Sequence, residues 1–338
     1  MDIIINNITD SIKELIITTE KGQKVSLINI GASLTEWVTS TGTNIVAGYA
    51  DYHDYLKPGM YLGTNVGMNA GRIENSTFEI DQQKYHVKSS HPHFLHGGED
   101  SLAFRLFDIS IEKVSTNQAI ILFSHDYHSE YNHSDQRVEI RYYIIEGSIK
   151  IVYDVSSTDK TLCNLTNHSY FNLDGDFSHD LSNHELYIKA NRVVLVNQDI
   201  IGKDMIDVTN TEFDFRTLKP IMPTINIIKN RKEKARGLDH YFMFEKVSSD
   251  AQVTLKSKTS NLELKVFTTY PGITIYTTNY PENKMLRQGY ALTDHSAICL
   301  EAQFQSNAIN DQRFDVGLVS PKQPFHQEIY FQLGGLAQ

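Results

Sequence analysis

The chain has 338 residues, of which 40% are hydrophobic, and a formal net charge of −10. This composition is typical of a soluble globular protein. The negative charge argues against a nucleic-acid partner, because phosphate backbones are bound by clustered Lys and Arg. The longest basic run, residues 229–236, is predicted to be a solvated loop.

The sequence pattern indicates neither a leader nor a membrane span. Residues 1–15 lack the basic region and apolar core of a signal peptide, and no apolar run approaches the ~20 residues of a membrane helix. Cys163 and Cys299 each lie in an apolar run, where a thiol behaves as a small hydrophobe. They could pair, but they form no disulfide framework, and a reducing compartment fits them better. We therefore expect a cytoplasmic protein without membrane attachment.

Short runs of alternating polarity, separated by turn residues, dominate the chain and predict strands. The clearest runs lie at 24–38, 120–124, 138–146, 148–155, 185–196, 252–256, 262–269, 273–277, 297–303 and 325–333. The one candidate helix, at 220–229, is short, and no linker or fixed repeat is visible. The pattern predicts an all-β fold, a single large and mostly antiparallel β-sandwich that forms one domain over residues 1–338.

Two irregular stretches carry residues suited to a binding site. Residues 67–80 are glycine-rich and include Arg72, but they lack the GxGxxG spacing of a dinucleotide site and the GK[ST] end of a P-loop. Residues 91–103 place His96 in the sequence LHGG, where two glycines allow a ligand to approach the backbone closely. Either stretch alone is also compatible with an ordinary surface loop.

The histidine clusters do not indicate a metal site. A proline interrupts the group formed by His91, His93 and His96. The group also lacks an HExxH motif and has no cysteine or clustered carboxylates nearby, so it offers too few ligands for a zinc ion. A second group, His125, His128 and His133, reads as a polar hairpin. We predict no metal.

Residues 162–175, LCNLTNHSYFNLDG, form the central motif. The first half is predicted to be one β-strand that presents a row of polar groups on one face, followed by a turn. That row consists of Asn164, Thr166, His168 and Tyr170. Buried polar groups need partners, which a sugar or similar polyol would supply. His168 is suited to proton transfer near neutral pH, although a buried structural histidine explains this motif equally well.

Two carboxylates complete the set of candidate catalytic residues. Glu301 lies in a mostly apolar strand on the same face as Cys299 and Gln303, where burial would raise its pKa towards that of a general base. A structural Glu paired with Arg is the alternative. Asp239 follows a loop and precedes an aromatic strand. There is no GxSxG elbow, and neither cysteine lies near an activating motif, so a hydrolase nucleophile is not indicated.

Taken together, these motifs resemble the aldose 1-epimerase (galactose mutarotase) family. The matching segments, in chain order, are AGRIENSTFEID, FLHGG, NLTNHSYFNLDG, GLDHYF, YPGITIYTTN and ICLEAQFQSNAIN. The resemblance extends from about residue 30 to the final strand. It implies the single β-sandwich of that family, an open sugar cleft, a monosaccharide substrate, no cofactor and a monomer or homodimer.

The resemblance also implies residue roles for the interconversion of α and β anomers of free hexoses, D-galactose or D-glucose. His168, expected to be protonated, would be the general acid and Glu301 the general base, with His96 beside the ring oxygen or anomeric hydroxyl. Arg72 and Asp239 would bind hydroxyls, and Tyr170 would line the site.

Three positions depart from the family pattern: Gly71 stands where many members have Asn, Tyr270 where many have Gln, and Asn307 where many have Asp. Gly71 and Tyr270 occupy substrate-binding positions, so these departures bear on which sugar is preferred. Three alternatives remain open: a non-catalytic sugar-binding sandwich, an epimerase of phosphorylated hexoses, for which Arg105 is the nearest extra cation, and a glycoside hydrolase using Asp239 and Glu301.

Overall fold

A computed structural model of the chain describes residues 1–231, 234–245 and 249–335. Its strands are β1 (Asp2–Asn7), β2 (Lys13–Thr18), β3 (Lys24–Ile28), β4 (Ser33–Val38), β5 (Asn65–Val66), β6 (Arg72–Ile73), β7 (Thr77–Ile80), β8 (Gln83–His86), β9 (Phe94–Leu95), β10 (Asp108–Val114), β11 (Ala119–His128), β12 (Asp135–Ile145), β13 (Ser148–Ser157), β14 (Thr161–Leu162), β15 (Thr166–Asn167), β16 (Tyr170–Phe171), β17 (His184–Ile188), β18 (Ala190–Val196), β19 (Gly202–Asp207), β20 (Lys219–Pro220), β21 (Asp239–Phe244), β22 (Val253–Ser257), β23 (Glu263–Thr268), β24 (Gly272–Tyr276), β25 (Ile298–Ala302), β26 (Leu318–Val319) and β27 (Phe325–Gly334).

Helical structure is sparse in the described part of the chain. The α-helix α1 spans Met222–Asn230, close to the predicted 220–229, and begins at a proline-containing first turn. Single-turn 3₁₀ segments occur at Tyr52–Leu56, Glu74–Ser76, Gly98–Asp100, Leu102–Phe104, Leu181–Asn183 and Ala308–Asn310. No described helix has the length and apolar character needed to cross a bilayer.

Three sheets organise the fold, and all pairings between strands are antiparallel. They are a nine-stranded sheet in the order β10-β11-β12-β13-β27-β23-β22-β17-β20, a six-stranded sheet in the order β16-β25-β24-β21-β18-β19, and a four-stranded sheet, β1-β2-β3-β4. The inner faces of all three contribute to one hydrophobic cluster, represented by Phe123, Phe242 and Trp37. The predicted all-β class and antiparallel sandwich are therefore confirmed.

Strict alternation explains why the six-stranded sheet has two different faces. Along β24, Ile273 and Ile275 are fully buried in the core, and along β25 Ile298 and Leu300 pack beside them. The intervening residues of both strands point to the opposite face, because side chains alternate along a strand. That opposite face carries the candidate site.

The prediction of one continuous strand in residues 162–175 is wrong. The stretch is divided among β14, β15 and β16, which pair with β26, β5 and β25 in three different sheets. The predicted terminal turn is present, with the amide of Gly175 donating to the carbonyl oxygen of Asn172 over 3.0 Å.

Two further predictions need correction. The run 185–196 is two strands, β17 and β18, which belong to different sheets. The basic run 229–236 is not entirely a loop, because Lys229 and Asn230 end helix α1; residues 232 and 233 of the run lie outside the described part. Both cysteines are buried free thiols.

Candidate active site

The register of the six-stranded sheet brings residues distant in sequence onto one face. Tyr170 of β16 lies opposite Cys299 of β25, which lies opposite Tyr276 of β24, which in turn lies opposite Asp239 of β21. Glu301 is two residues further along β25. Since directly opposite residues in an antiparallel sheet point to the same face, these side chains form one continuous surface.

A cavity of about 280 Å³ lies over this surface. It is lined by all of the predicted site residues except Tyr270, namely Gly71, Arg72, His96, His168, Tyr170, Asp239 and Glu301. Five separate segments of the sequence therefore meet at one concavity, as expected for a small-molecule site.

His168 and Glu301 form the centre of the cavity wall. His168 Nε2 lies 3.5 Å from Glu301 Oε1, and the two side chains are only 6% and 3% exposed. Burial raises the pKa of Glu301 well above its ordinary value, helped by the negative charge of Asp239 and opposed by Arg72. Burial also lowers the pKa of His168 to about 4. Desolvation therefore favours an uncharged pair.

This result corrects the expectation of a protonated His168 in the free protein. A buried imidazolium loses the solvation that stabilises its charge, so the ring is neutral near pH 7. The pair still holds the proton that the chemistry needs, because the raised pKa of Glu301 favours retention of a proton on its carboxyl group.

His96 is held by a glycine rather than by a carboxylate. Its Nδ1 accepts a hydrogen bond of 3.1 Å from the amide of Gly71, so the proton of the neutral ring is on Nε2. Burial lowers the pKa of His96 well below its ordinary value, and His168 and Arg72 act in the same direction. The ring is therefore an uncharged hydrogen-bond donor, and its centroid lies 5.2 Å from that of His168.

Arg72 and Asp239 form a loose ion pair on the same wall, with Nη1 and Oδ2 separated by 3.8 Å. Arg72 begins the short strand β6, and Asp239 begins β21. Burial raises the pKa of Asp239, and the guanidinium of Arg72 partly offsets that rise. At 3.8 Å, both groups keep hydrogen-bonding capacity for a polar ligand.

The predicted contact of Tyr270 with substrate is not supported by its position. Its side chain is fully buried in the hydrophobic core, and its hydroxyl donates to the backbone carbonyl of Leu165. Tyr270 lies in the bend between β23 and β24, and its ring packs in the core rather than against the cavity. Asn307 is also absent from the cavity wall, and its Oδ1 accepts from the amide of Glu74 over 3.0 Å.

Two members of the predicted polar row do not reach the cavity. Asn164 donates to the carbonyl of Phe304 over 3.1 Å and accepts from its amide over 3.0 Å, so it joins two backbone segments. Thr166 is fully buried on β15. His168 and Tyr170 alone among the four line the cavity.

Several cavity residues were not identified from the sequence. Tyr61 has a positive φ of 57° and places its ring 5.0 Å from His96 and 6.0 Å from His168. Tyr276 faces the cavity beside Tyr170, with ring centroids 6.1 Å apart. The alternation of ITIYTT around buried Ile273 and Ile275 is a signal that would have placed Tyr276 on the polar face.

The other charge clusters lie apart from this arrangement. Arg105 pairs with Asp100 and lines a second cavity, of about 360 Å³. In the described residues, the one group with ligand atoms close enough to share a metal ion is His96, His168 and Glu301, whose atoms lie within 4.8 Å of one another. His91 and His93, rejected as zinc ligands from the sequence, do not belong to it.

Comparisons with known proteins show the family to which the chain belongs. The family model described as aldose 1-epimerase matches residues 13–332. The galactose mutarotase of Homo sapiens is 28% identical over 319 residues, covering 91% of this chain and 90% of its own length. The aldose 1-epimerase of Haemophilus influenzae is 31% identical over 293 residues, or 84% of each chain.

Solved structures share the same architecture. The galactose 1-epimerase of Lactobacillus acidophilus aligns with a TM-score of 0.83 at 21% identity, over 98% of both chains, which shows a common fold. With the family model matching nearly the whole sequence, the chain belongs to the aldose 1-epimerase family and is an isomerase acting on carbohydrates.

Proposed function

We propose that this enzyme interconverts the α and β anomers of free hexoses, with D-galactose or D-glucose as substrate, by acid–base ring opening and reclosure. The observation that carries the proposal is the buried pair of His168 and Glu301, whose reactive atoms lie 3.5 Å apart on the wall of a cavity. The reaction needs two proton carriers near C1, and this pair supplies them.

Ring opening moves two protons and leaves the site uncharged overall. Starting from a Glu301 carboxylate and a His168 imidazolium, the carboxylate takes the C1 hydroxyl proton and His168 Nε2 gives its proton to the ring oxygen. The C1–O bond to the ring breaks, and the open-chain aldehyde rotates about C1–C2. Reclosure on the other face reverses both transfers and yields the other anomer.

The electrostatics of the site suit this cycle. Burial favours the carboxylic acid and neutral imidazole, which is the protonation state that exists while the aldehyde is open. The carboxylate and imidazolium that start the reaction hold the same number of protons as this neutral pair. One proton transfer from Glu301 to His168 Nε2 therefore produces the starting state without proton exchange with solvent. Because burial raises the pKa of Glu301 and lowers that of His168, this transfer is uphill in the free enzyme, and hydrogen bonds from the bound sugar to the two charged groups would have to lower its cost.

The remaining cavity residues are assigned to substrate binding. The Nε2–H of His96 donates to the ring oxygen or the anomeric oxygen, and it carries no charge that would compete with His168 for the proton. Arg72 and Asp239 supply one donor group and one acceptor group for sugar hydroxyls. Tyr170 packs beside the His168 ring, with centroids 5.2 Å apart.

The charge of the cavity favours a free sugar over a phosphorylated one. Within the described part of the chain, Arg72 is the one Lys or Arg side chain lining the cavity, whereas Asp239, Glu282 and Glu301 contribute carboxyl groups. A phosphate dianion is usually bound by several donors such as paired arginines. Arg105, the extra cation considered from the sequence, pairs with Asp100 at the second cavity.

Polarimetry tests the proposal directly. Freshly dissolved α-D-galactose and α-D-glucose are followed with wild-type protein, Glu301→Gln and Glu282→Gln. We expect wild type to accelerate the change in rotation and Glu301→Gln to lose on the order of 10²–10⁴-fold in turnover. Glu282→Gln removes a carboxylate from the same cavity but not from the proton-transfer pair, so it should keep most of the turnover.

A wild-type rate equal to the spontaneous rate for both sugars would refute the assigned substrates. Phosphorylated hexoses would then be tested in the same assay. If Glu301→Gln and Glu282→Gln lost turnover equally, the special role of Glu301 would be wrong even with an active enzyme.

We also propose that residues 1–338 form one domain and that the protein is a cytoplasmic monomer or homodimer. The shared hydrophobic cluster of the three sheets supports the first statement. A single cooperative unfolding transition, together with the mass from light scattering, tests domain number and oligomeric state; two separate transitions would contradict a single domain.

A further inference from the structure

The mechanism leaves one buried nucleophilic group at the centre of the site without a role. Cys299 is fully buried on β25, two residues before Glu301, and it lies in register between Tyr170 and Tyr276. Its side chain therefore points to the same face of the sheet as Glu301, directly beneath the reacting groups.

The thiol contacts the nitrogen of His168 that does not face Glu301. Cys299 Sγ lies 3.6 Å from His168 Nδ1, while His168 Nε2 lies 3.5 Å from Glu301 Oε1. The two ring nitrogens are thus separated into one that faces the carboxyl group and one that faces sulfur.

The position of the ring proton decides whether His168 can work. During the proposed cycle, Nε2 must alternately hold and release a proton, so the neutral ring must keep its own proton on Nδ1. A neutral imidazole with the proton on Nε2 could not accept one from Glu301 at that nitrogen. A hydrogen-bond acceptor at Nδ1 is therefore needed.

We propose that Cys299 is a positioning residue whose sulfur accepts the Nδ1–H of His168 and thereby leaves Nε2 free to exchange a proton with the sugar. This inference rests on the proposed function and assigns a positioning residue within the same site. A thiol can accept through the lone pairs of its sulfur while it keeps its own hydrogen.

Burial keeps the sulfur in the form that this role needs. The pKa of the Cys299 thiol is raised well above its ordinary value by desolvation and by the nearby carboxyl group of Glu301. A thiol that stays protonated does not take the proton from Nδ1, and it adds no charge beside the catalytic pair.

His96 shows the opposite arrangement in the same cavity. There the amide of Gly71 donates to Nδ1 and places the ring proton on Nε2. Two neighbouring histidines are thus held in opposite tautomers by their Nδ1 partners, one as a fixed donor to the sugar and the other as a proton carrier.

Three variants test the proposal. Cys299→Ala removes the acceptor, Cys299→Ser restores one of similar size, and Cys163→Ala truncates the other buried thiol, whose pKa reflects burial alone. The tautomer of His168 is read from nitrogen chemical shifts and long-range nitrogen–proton couplings in ¹⁵N-labelled protein. Turnover and its pH profile are measured by polarimetry.

In wild type and Cys163→Ala, we expect the Nδ1–H tautomer of His168. Cys299→Ala should shift the ring towards the Nε2–H tautomer and reduce turnover by roughly 2- to 10-fold, the worth of one neutral hydrogen bond, with a displaced pH profile. Cys299→Ser should restore both the tautomer and most of the turnover. Denaturant unfolding of each variant shows whether it is folded.

An Nε2–H tautomer in wild type, or an unchanged Nδ1–H tautomer in folded Cys299→Ala, would overturn the proposal. If Cys299→Ala does not fold, the wild-type tautomer and the Cys299→Ser variant decide the question. The tautomer of His168 is measured without substrate. An absence of mutarotation in wild type would therefore reject the proposed function but would leave the tautomer test of Cys299 unaffected.

Discussion

Asn167 and His168 are adjacent in sequence and equally buried, but they belong to two different kinds of polar cluster. Asn167 Nδ2 donates to the carbonyl of Gly63 over 2.9 Å, and its Oδ1 accepts from Ser169. The opposite residue in the register, Asn65, donates to Tyr142 over 2.9 Å and accepts from Tyr153 over 2.8 Å. The Asn167 cluster is neutral, and its hydrogen bonds are made within the protein.

The His168 cluster is built from titratable groups that are loosely paired. Its central contact, 3.5 Å to Glu301, is longer than the ~2.9 Å of an ordinary N–H···O hydrogen bond. Both partners are kept uncharged by burial, at a cost in stability. The comparison shows that the burial of polar residues does not by itself indicate a catalytic site. Buried titratable groups that lack tight partners and line a cavity are the better indicator.

The largest expected effect separates activity from stability. His168→Asn should reduce turnover by on the order of 10²–10⁴-fold, because the general acid is lost. The variant should stay folded, since a buried neutral imidazole is replaced by a smaller neutral amide. Polarimetry and thermal unfolding measure the two quantities. Retention of more than about a tenth of the wild-type turnover would exclude His168 as the proton donor.

Of the two clusters, the His168 cluster should contribute to the pH dependence of stability and the Asn167 cluster should not. Unfolded histidine titrates near pH 6.5, whereas folded His168 has a pKa of about 4. As the pH falls through this window, the unfolded state takes up a proton that the folded state does not, so stability decreases, by on the order of 3 kcal/mol in total. His168→Asn should remove the part of the loss that comes from His168, whereas the buried His184 and His240, whose pKa values burial also lowers, keep their parts.

Glu301 acts in the opposite pH direction. Its pKa is raised by folding, so above pH ~4.3 the unfolded carboxyl group releases a proton that the folded one retains, and stability decreases as the pH rises. Glu301→Gln should therefore be more stable than wild type at pH 7 but not at pH 4. Denaturant unfolding across this range measures both effects.

Substitution of Gly71 tests how tightly the cavity wall near His168 is packed. A Cβ at Gly71 would lie 2.4 Å from Ser306 Cβ, and φ is +71°, whereas Gly42 has a similar φ of +90° with no atom near the added Cβ. Gly42→Ala should therefore lose about 1–2 kcal/mol from backbone strain alone. Gly71→Ala should lose about 1–3 kcal/mol more because of overpacking.

Denaturant unfolding compares the two glycine variants. The double variant Gly71→Ala with Ser306→Gly removes the clashing carbon and should recover the additional loss. Equal destabilisation of Gly71→Ala and Gly42→Ala would show that Ser306 yields easily and that the wall tolerates a side chain.

The sequence predicted the regular parts of the fold because alternation is a local signal. Residues 148–155 and 273–277 alternate cleanly, and both lie in antiparallel strands with one face in the core. Residues 162–175 were predicted wrongly because their pairing is not local. Strands β5, β25 and β26, which divide the stretch among three sheets, are distant in sequence.

The same distinction applies to the site. His96, His168 and Glu301 occur in short specific motifs, and the structure brings them to one cavity. Tyr270 was placed wrongly because it lies in the bend between β23 and β24, where strand alternation does not indicate which side its ring occupies. Tyr61 was missed because it lies in an irregular loop with a positive φ, where no periodicity indicates the direction of a side chain.

The smallest expected effect is a loss of stability from a change in the Asn167 cluster. Tyr153→Phe removes the hydroxyl that donates to Asn65 Oδ1 over 2.8 Å, and that oxygen keeps a weaker contact with Asn167 Nδ2 at 3.4 Å. The expected loss of stability is therefore about 1 kcal/mol, with unchanged turnover. Tyr143→Phe, on a half-buried ring in the same sheet, should change stability by less than about 0.5 kcal/mol.

Denaturant unfolding and polarimetry at a temperature where all variants are folded make this comparison. A change in turnover for Tyr153→Phe would mean that the Asn167 cluster positions His168 through the one peptide bond between them. The two clusters would then act as one unit, and the division into a structural Asn167 cluster and a catalytic His168 cluster would be wrong.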